Sequence, residues 1–126
     1  MVAAGTELNT VPTLRVGALV LDRAQHRITL GDREVALSRS EFLLLAALME
    51  RPAQMLSRLS LAIAIWGEHL AQSGRPVDQH LYRLRIKLAR AAAEAGVAPP
   101  VIEVVPNFGY RLANEPAPEP VVAGEE

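Results

Sequence analysis

The sequence predicts an α+β domain, with a small antiparallel sheet first, three helices next and a β-hairpin last. Three observations carry that order. Short β-branched, apolar runs separated by turn residues lie between Leu14 and Leu37. Apolar residues then recur at intervals of three and four, bounded by serine caps and by proline or glycine stops. Two short apolar runs finally flank "PNFG", in which Pro106 and Asn107 suit the two central positions of a tight turn.

Element by element, "LRVGALVLD" (Leu14–Asp22) is apolar and β-branched enough for one strand. Arg27–Leu30 and Arg33–Leu37 flank Gly31-Asp32, a two-residue turn with glycine first, and so form a hairpin. Ser38-Arg39-Ser40-Glu41 is a capping box that opens the first helix. Phe42, Leu45, Leu48 and Met49 are its core face, and Pro52 stops it after Glu50. "MLS" is a short extended link whose Ser57 caps a second helix, Arg58 to Trp66. That helix is apolar at Leu59, Ala62, Ile63 and Trp66 and ends at Gly67. "EHLAQSG" is expected to be loop. Pro76 opens the third helix, residues 76–92, with Asp78 complementing the dipole at that end. After the Pro99-Pro100 break, "VIEVV" and "YRL" are the last two strands.

The chain has 126 residues, half of them apolar, enough for one domain with a real core. The folded part is expected at 13–112, between a flexible N-terminus at 1–12 and a disordered acidic tail at 113–126 rich in Pro, Ala and Glu. No apolar run approaches the roughly 18 residues of a membrane span, and the N-terminus lacks the charged and apolar regions of a secretory signal. There is no cysteine, which excludes disulfides, thiolate metal sites and a thiol nucleophile. A cytoplasmic location is expected.

The net charge of −1 hides an asymmetry. Between residues 13 and 112 stand thirteen bases and nine acids, and "RPVDQHLYRLRIKLAR" (75–90) alone holds five bases and one acid, Asp78. At about 100° per residue, Val77, Leu84 and Leu88 fall within about 60° of Leu81 and form a buried stripe. Arg75, Gln79, Tyr82, Arg83, Ile86 and Arg90 fall on the opposite face, with Lys87 beside them and Arg85 at the edge of the stripe. Sixteen helical residues span about 24 Å, a length that can lie in a DNA major groove. Most basic helix faces are only solvated charge. This one lacks the acids that usually alternate with bases for i,i+4 pairing, and it exposes an isoleucine and a tyrosine. Its residue types match those that read base edges: Arg for guanine, Gln for adenine, apolar atoms for the thymine methyl.

In order, these elements make a winged helix-turn-helix preceded by a small sheet. Through the segments "LSRSEFLLLAALMERP", "LSRLSLAIAIWG", "VDQHLYRLRIKL" and "IEVVPNFGYRL", the stretch from Leu14 to Leu112 resembles the DNA-binding effector domain of OmpR/PhoB response regulators. The resemblance implies a bacterial, sequence-specific regulator of transcription that binds double-stranded DNA, with the third helix in the major groove and the hairpin reaching the adjacent minor groove. It maps Gln79, Tyr82, Arg83 and Ile86 onto base-facing positions. Arg75, Arg85, Lys87, Arg90 and Arg111 become phosphate contacts, and Pro106, Asn107 and Phe108 the wing. Trp66 and Val77 map to the core. Loop 67–74 matches the segment that can touch RNA polymerase. A monomer in solution that pairs head to tail on DNA is expected.

Three departures from the family pattern stand out. Val104, Pro106 and Asn107 replace the threonine, basic residue and glycine common at the entry to the wing turn. Tyr82 stands where many relatives carry arginine. The phosphorylatable receiver domain is absent, so aspartyl phosphorylation within this chain is not expected to be its switch. The missing wing cation and the acidic tail support an alternative from another class, a winged-helix module that binds protein. An architectural DNA binder without sequence preference fits the chemically varied helix face less well.

No enzyme, cofactor or metal is expected. His26, His69 and His80 lack Cys companions and HxxxH spacing. Asp78 and Glu94 have nothing to tune them as an acid/base pair, Ser38 and Ser57 are caps, and the glycines form no phosphate-binding loop.

Overall fold

The computed structural model describes residues 13–71 and 77–113. It has the predicted architecture: an N-terminal four-stranded antiparallel sheet, three helices and a C-terminal hairpin. The ends expected to be loose lie outside the described residues, apart from Ala113, whose N–H donates to the Val101 carbonyl at 2.9 Å.

The first sheet has the order β1-β2-β3-β4, with β1 at Thr13–Val16, β2 at Leu19–Asp22, β3 at Arg27–Leu30 and β4 at Arg33–Val35. The single strand expected over Leu14–Asp22 is therefore two. Gly17, at φ +59°, turns the chain back so that Val16 faces Leu19 and Leu14 faces Leu21. An apolar run cannot by itself tell one long strand from two short ones joined by a glycine turn. β4 also stops short of Leu37. Because side chains alternate, the register puts Val16, Leu19, Leu21, Ile28, Leu30 and Val35 on one buried face.

Helix α1 (Arg39–Glu50) covers that face and supplies Phe42, Leu44, Leu45, Leu48 and Met49 to the core. Its capping box is present as expected: Glu41 N–H donates to Ser38 Oγ at 3.2 Å, and Ser38 N–H donates to Glu41 Oε1 at 2.9 Å. Met55–Ser57, expected to be a short extended link, is a paired strand, β5. It pairs with the last strand, joining the helices to the hairpin.

Ser57 caps α2 (Arg58–Ala71) by accepting from Ser60 N–H at 3.0 Å. The core face of α2 is rotated from expectation. Leu61, Ala62 and Ile65 are buried, Ile63 and Trp66 are half-buried against the core, and Leu59 is 54% exposed. Several apolar stripes are available on so hydrophobic a helix, and packing against α1 chooses among them. Gly67 breaks the helix, at φ 82° and ψ 169°, but Glu68–Ala71 are helical beyond it, so the expected loop begins later. Residues 72–76, including Arg75 and Pro76, are outside the described set.

Helix α3 runs Val77–Ala95, three residues past its expected end. Val77, Leu81, Leu84, Leu88, Ala91 and Ala92 form its buried stripe. The hairpin consists of β6 (Ile102–Val105) and β7 (Gly109–Leu112), in a sheet of order β5-β7-β6. Phe108 N–H donates to the Val105 carbonyl at 3.0 Å, with Pro106 and Asn107 (φ +69°) in the central turn positions. Gly109 permits the three-stranded sheet. A Cβ there would lie 2.0 Å from the Leu56 carbonyl oxygen.

Leu84 is wholly buried. Leu84→Ala is expected to cost about 2–5 kcal/mol through transfer and cavity terms, read by denaturant unfolding. An unaltered midpoint would contradict the rotation of α3 on which every outward assignment depends.

Candidate nucleic-acid interface

With its leucine stripe buried, α3 presents Gln79, Tyr82, Arg83, Arg85, Ile86 and Arg90 to solvent. Tyr82 is 65% exposed and Ile86 39%, large apolar groups left uncovered on a helix otherwise rich in charge. Among the described residues, Arg83, Arg85 and Arg90 have no ion pair with an acid. A polyanion can approach this face without displacing an internal partner.

Lys87 and Arg111, also mapped to phosphate, are differently placed. Lys87 Nζ donates to Glu41 Oε1 at 2.7 Å, and Arg111 donates to Glu103 Oε1 from Nε at 2.8 Å. Each already neutralises a carboxylate of the same chain. Glu41 is the buried charged residue of the core, 3% exposed, and holds α1 to α3 through Lys87 while also closing its own capping box. Burial pushes the Glu41 carboxyl up, but Lys87 and the Ser38 amide together outweigh it, leaving the group below its usual range.

A second carboxylate joins three elements. Asp78, near the start of α3, accepts from the Tyr110 hydroxyl of β7 and from Arg58 Nε of α2, the latter at 3.0 and 3.3 Å to its two oxygens. The Arg58 guanidinium stands 5.5 Å from the centre of the Tyr110 ring. The Tyr110 hydroxyl, followed by Arg58, outweighs desolvation and lowers the Asp78 carboxyl, while burial and then Asp78 raise the Tyr110 phenol. Sequence reading assigned Asp78 only to the helix dipole and did not single out Arg58 or Tyr110. No local pattern marks them, because the β5–β7 pairing brings Arg58 beside Tyr110 and the packing of α3 brings Asp78 to both.

The wing tip is exposed and uncharged. Phe108 is 61% exposed and Val104 47%. Register places Val104 beside Tyr110, on the sheet face that carries the phenol linked to α3. Of the remaining residues considered from the sequence, His26 stacks on Phe42 with centroids 4.6 Å apart, and His80 meets Trp66 edge-on at 5.7 Å. Among the described residues no group of three or more His, Cys, Asp or Glu could hold a metal ion, and no helix is long and apolar enough to cross a membrane.

Residues 32–112 match the family described as "Transcriptional regulatory protein, C terminal". The chain belongs to the OmpR/PhoB-type effector-domain family. It is 39% identical over 99 residues to the phosphate regulon transcriptional regulatory protein PhoB of Rhizobium meliloti, a match covering 79% of this chain and 41% of that protein. It spans about two fifths of the length of the curated relatives it matches. Among solved structures, it resembles the Klebsiella pneumoniae RstA DNA-binding domain in complex with the RstA box at 32% identity and a TM-score of 0.68, covering 83% of this chain and 100% of that one. The DNA-binding domain of CpxR from E. coli matches with a TM-score of 0.68 and 27% identity, over 85% of this chain and 100% of that one.

Removing Lys87 would leave the buried Glu41 carboxylate with Ser38 alone. Lys87→Ala is expected to lose about 1–3 kcal/mol of stability, less than for a fully buried pair because Lys87 is partly solvated. Since the folded Glu41 carboxyl is lowered, its contribution is complete above the usual glutamate range and disappears as pH falls through the folded value. The gap between wild type and variant, measured by urea unfolding, should therefore close in acid. A gap independent of pH would show that the ion pair is not its source.

Proposed function

We propose that this chain is the DNA-binding part of a bacterial transcription regulator, reading double-stranded DNA in the major groove through α3. The observation that carries this is the exposed α3 face, with three arginines that have no acid partner among the described residues interleaved with Gln79, Tyr82 and Ile86. That set combines phosphate neutralisation with groups able to discriminate base edges. In the family's terms, Gln79, Tyr82, Arg83 and Ile86 face bases, and Arg75, Arg85 and Arg90 hold phosphate. Lys87 and Arg111 can do so only by sharing or leaving Glu41 and Glu103. The RstA DNA-binding domain, solved in complex with the RstA box, supports DNA as partner. No catalytic step, cofactor or metal belongs to this reading, and its place is the cytoplasm. Segment 67–74 is its proposed contact with RNA polymerase.

One observation favours a second reading, a module that binds protein. The hairpin's single cation, Arg111, is engaged by Glu103, while Val104 and Phe108 are exposed. Selection of sites from random duplexes separates the readings. An enriched motif supports sequence-specific binding. No duplex binding at all supports the protein module.

Arg83→Ala is expected to lose about 1–3 kcal/mol of discrimination at one base position. Arg85→Ala and Arg90→Ala should instead weaken selected and random DNA alike, each reducing the salt slope by about 0.9. Unchanged motif and affinity for Arg83→Ala, with circular dichroism preserved, would remove α3 from the contact.

A single module covers few base pairs, so we further propose a monomer that pairs head to tail on half-sites about one helical turn apart. Light scattering should give a monomer without DNA, and a two-site duplex should bind more tightly per site than a one-site duplex. A stable dimer without DNA would refute this.

A further inference from the structure

We propose that Asp78 is a positioning residue for sequence discrimination, tying wing strand β7 to the first turn of α3 and aiming Arg58 at the DNA backbone. This rests on the reading of α3 as the DNA-binding helix.

Asp78 is the one acid in the basic stretch 75–90. An exposed carboxylate beside a face that meets a polyanion opposes binding, so its presence calls for a compensating role. Its bonds supply one. Tyr110, buried at the base of the wing, donates its hydroxyl to Asp78, and Arg58, the first residue of α2, donates Nε to the same group. One carboxylate thus fixes wing, recognition helix and α2 relative to one another. A reader with two contact elements discriminates better when they are held in register before DNA arrives, because less ordering remains for binding to offset.

The same bonds orient Arg58. Asp78 engages Nε, and the Tyr110 hydroxyl is a second hydrogen-bond partner of the guanidinium. The side chain is half-exposed and lies against the Tyr110 ring. Bonded to Asp78 in the first turn of α3, the guanidinium sits beside that helix, where a phosphate would border a groove occupied by it. A guanidinium held on one edge by a carboxylate and on its plane by a phenol retains donors for an anion with little rotational freedom left to lose.

The test compares affinity for the duplex that wild type selects with affinity for random duplex, in the 126-residue wild type, Asp78→Asn, Tyr110→Phe and Arg58→Ala. If Asp78 acts only through charge, Asp78→Asn raises both affinities together and leaves their ratio unchanged, which would overturn the proposal. If it positions, random affinity holds or rises while the ratio falls on the order of tenfold, the scale of one hydrogen bond to a charged group. Tyr110→Phe alters no charge. It should lower the ratio and leave random binding as it was, and an unchanged ratio would also overturn the proposal. Arg58→Ala should reduce the salt slope by about 0.9, and an unchanged slope would remove Arg58 from the backbone contact. Circular dichroism controls for folding. Should Tyr110→Phe unfold, the half-exposed Asp78→Asn decides the matter. A wild type with no preferred duplex would instead defeat the underlying DNA reading.

Discussion

Val77, Leu81, Leu84 and Leu88 are each 3% exposed or less, and their burial fixes the rotation of α3 about its axis. The remaining structure depends on that constraint. A helix with four large side chains seated in one core cannot turn by a single residue without exposing some of them, at about 25 cal/mol for each Å² of apolar surface returned to water. Once the stripe is seated, Gln79, Arg83, Ile86 and Arg90 have no direction but outward. The chemistry of the exposed face is thus set by the packing of the opposite one.

Internal carboxylates then divide the cations of this region into two groups. Glu41 holds Lys87 and Asp78 holds Arg58 and the Tyr110 hydroxyl, bracing α1, α2 and the wing against α3, while Glu103 holds Arg111 across the two wing strands. Arg83, Arg85 and Arg90 remain without an acid among the described residues. This division explains how a chain with a net charge of −1 can carry an exposed cationic face on α3. Glu41 shows the strictest form of the device. It is buried, it caps α1, and it receives the lysine of α3, so an error at α1's first turn would be transmitted to the interface.

The wing follows a different logic. Its turn is built from Pro106 and a positive-φ Asn107, and its base is fixed by the Tyr110 hydroxyl on Asp78. With Arg111 engaged by Glu103, its exposed large side chains near the tip are the apolar Val104 and Phe108. Steric and apolar contact, rather than charge, is what this hairpin offers a partner.

Much of this was legible in the amino-acid order. The capping box, the leucine stripe of α3, the Pro-Asn turn and the succession of elements are local patterns, each encoded within a few residues of itself, and together they carried the family resemblance. The outward face of α3 could be named for the same reason, since a helix's periodicity states which residues share a face. Tertiary structure decided what depends on contacts between distant segments. Only packing could show that Leu59 is exposed while Leu61 and Ile65 enter the core, because α2 is apolar on several sides. Only strand pairing could show that Met55–Ser57 joins the wing sheet, or that Leu14–Asp22 folds back at Gly17. The pairings of Lys87 with Glu41 and of Arg58 and Tyr110 with Asp78 link residues 46, 20 and 32 positions apart. No local spacing encodes a meeting at that separation. It exists only because the core brings the elements together, and it determines which cations are left for a partner.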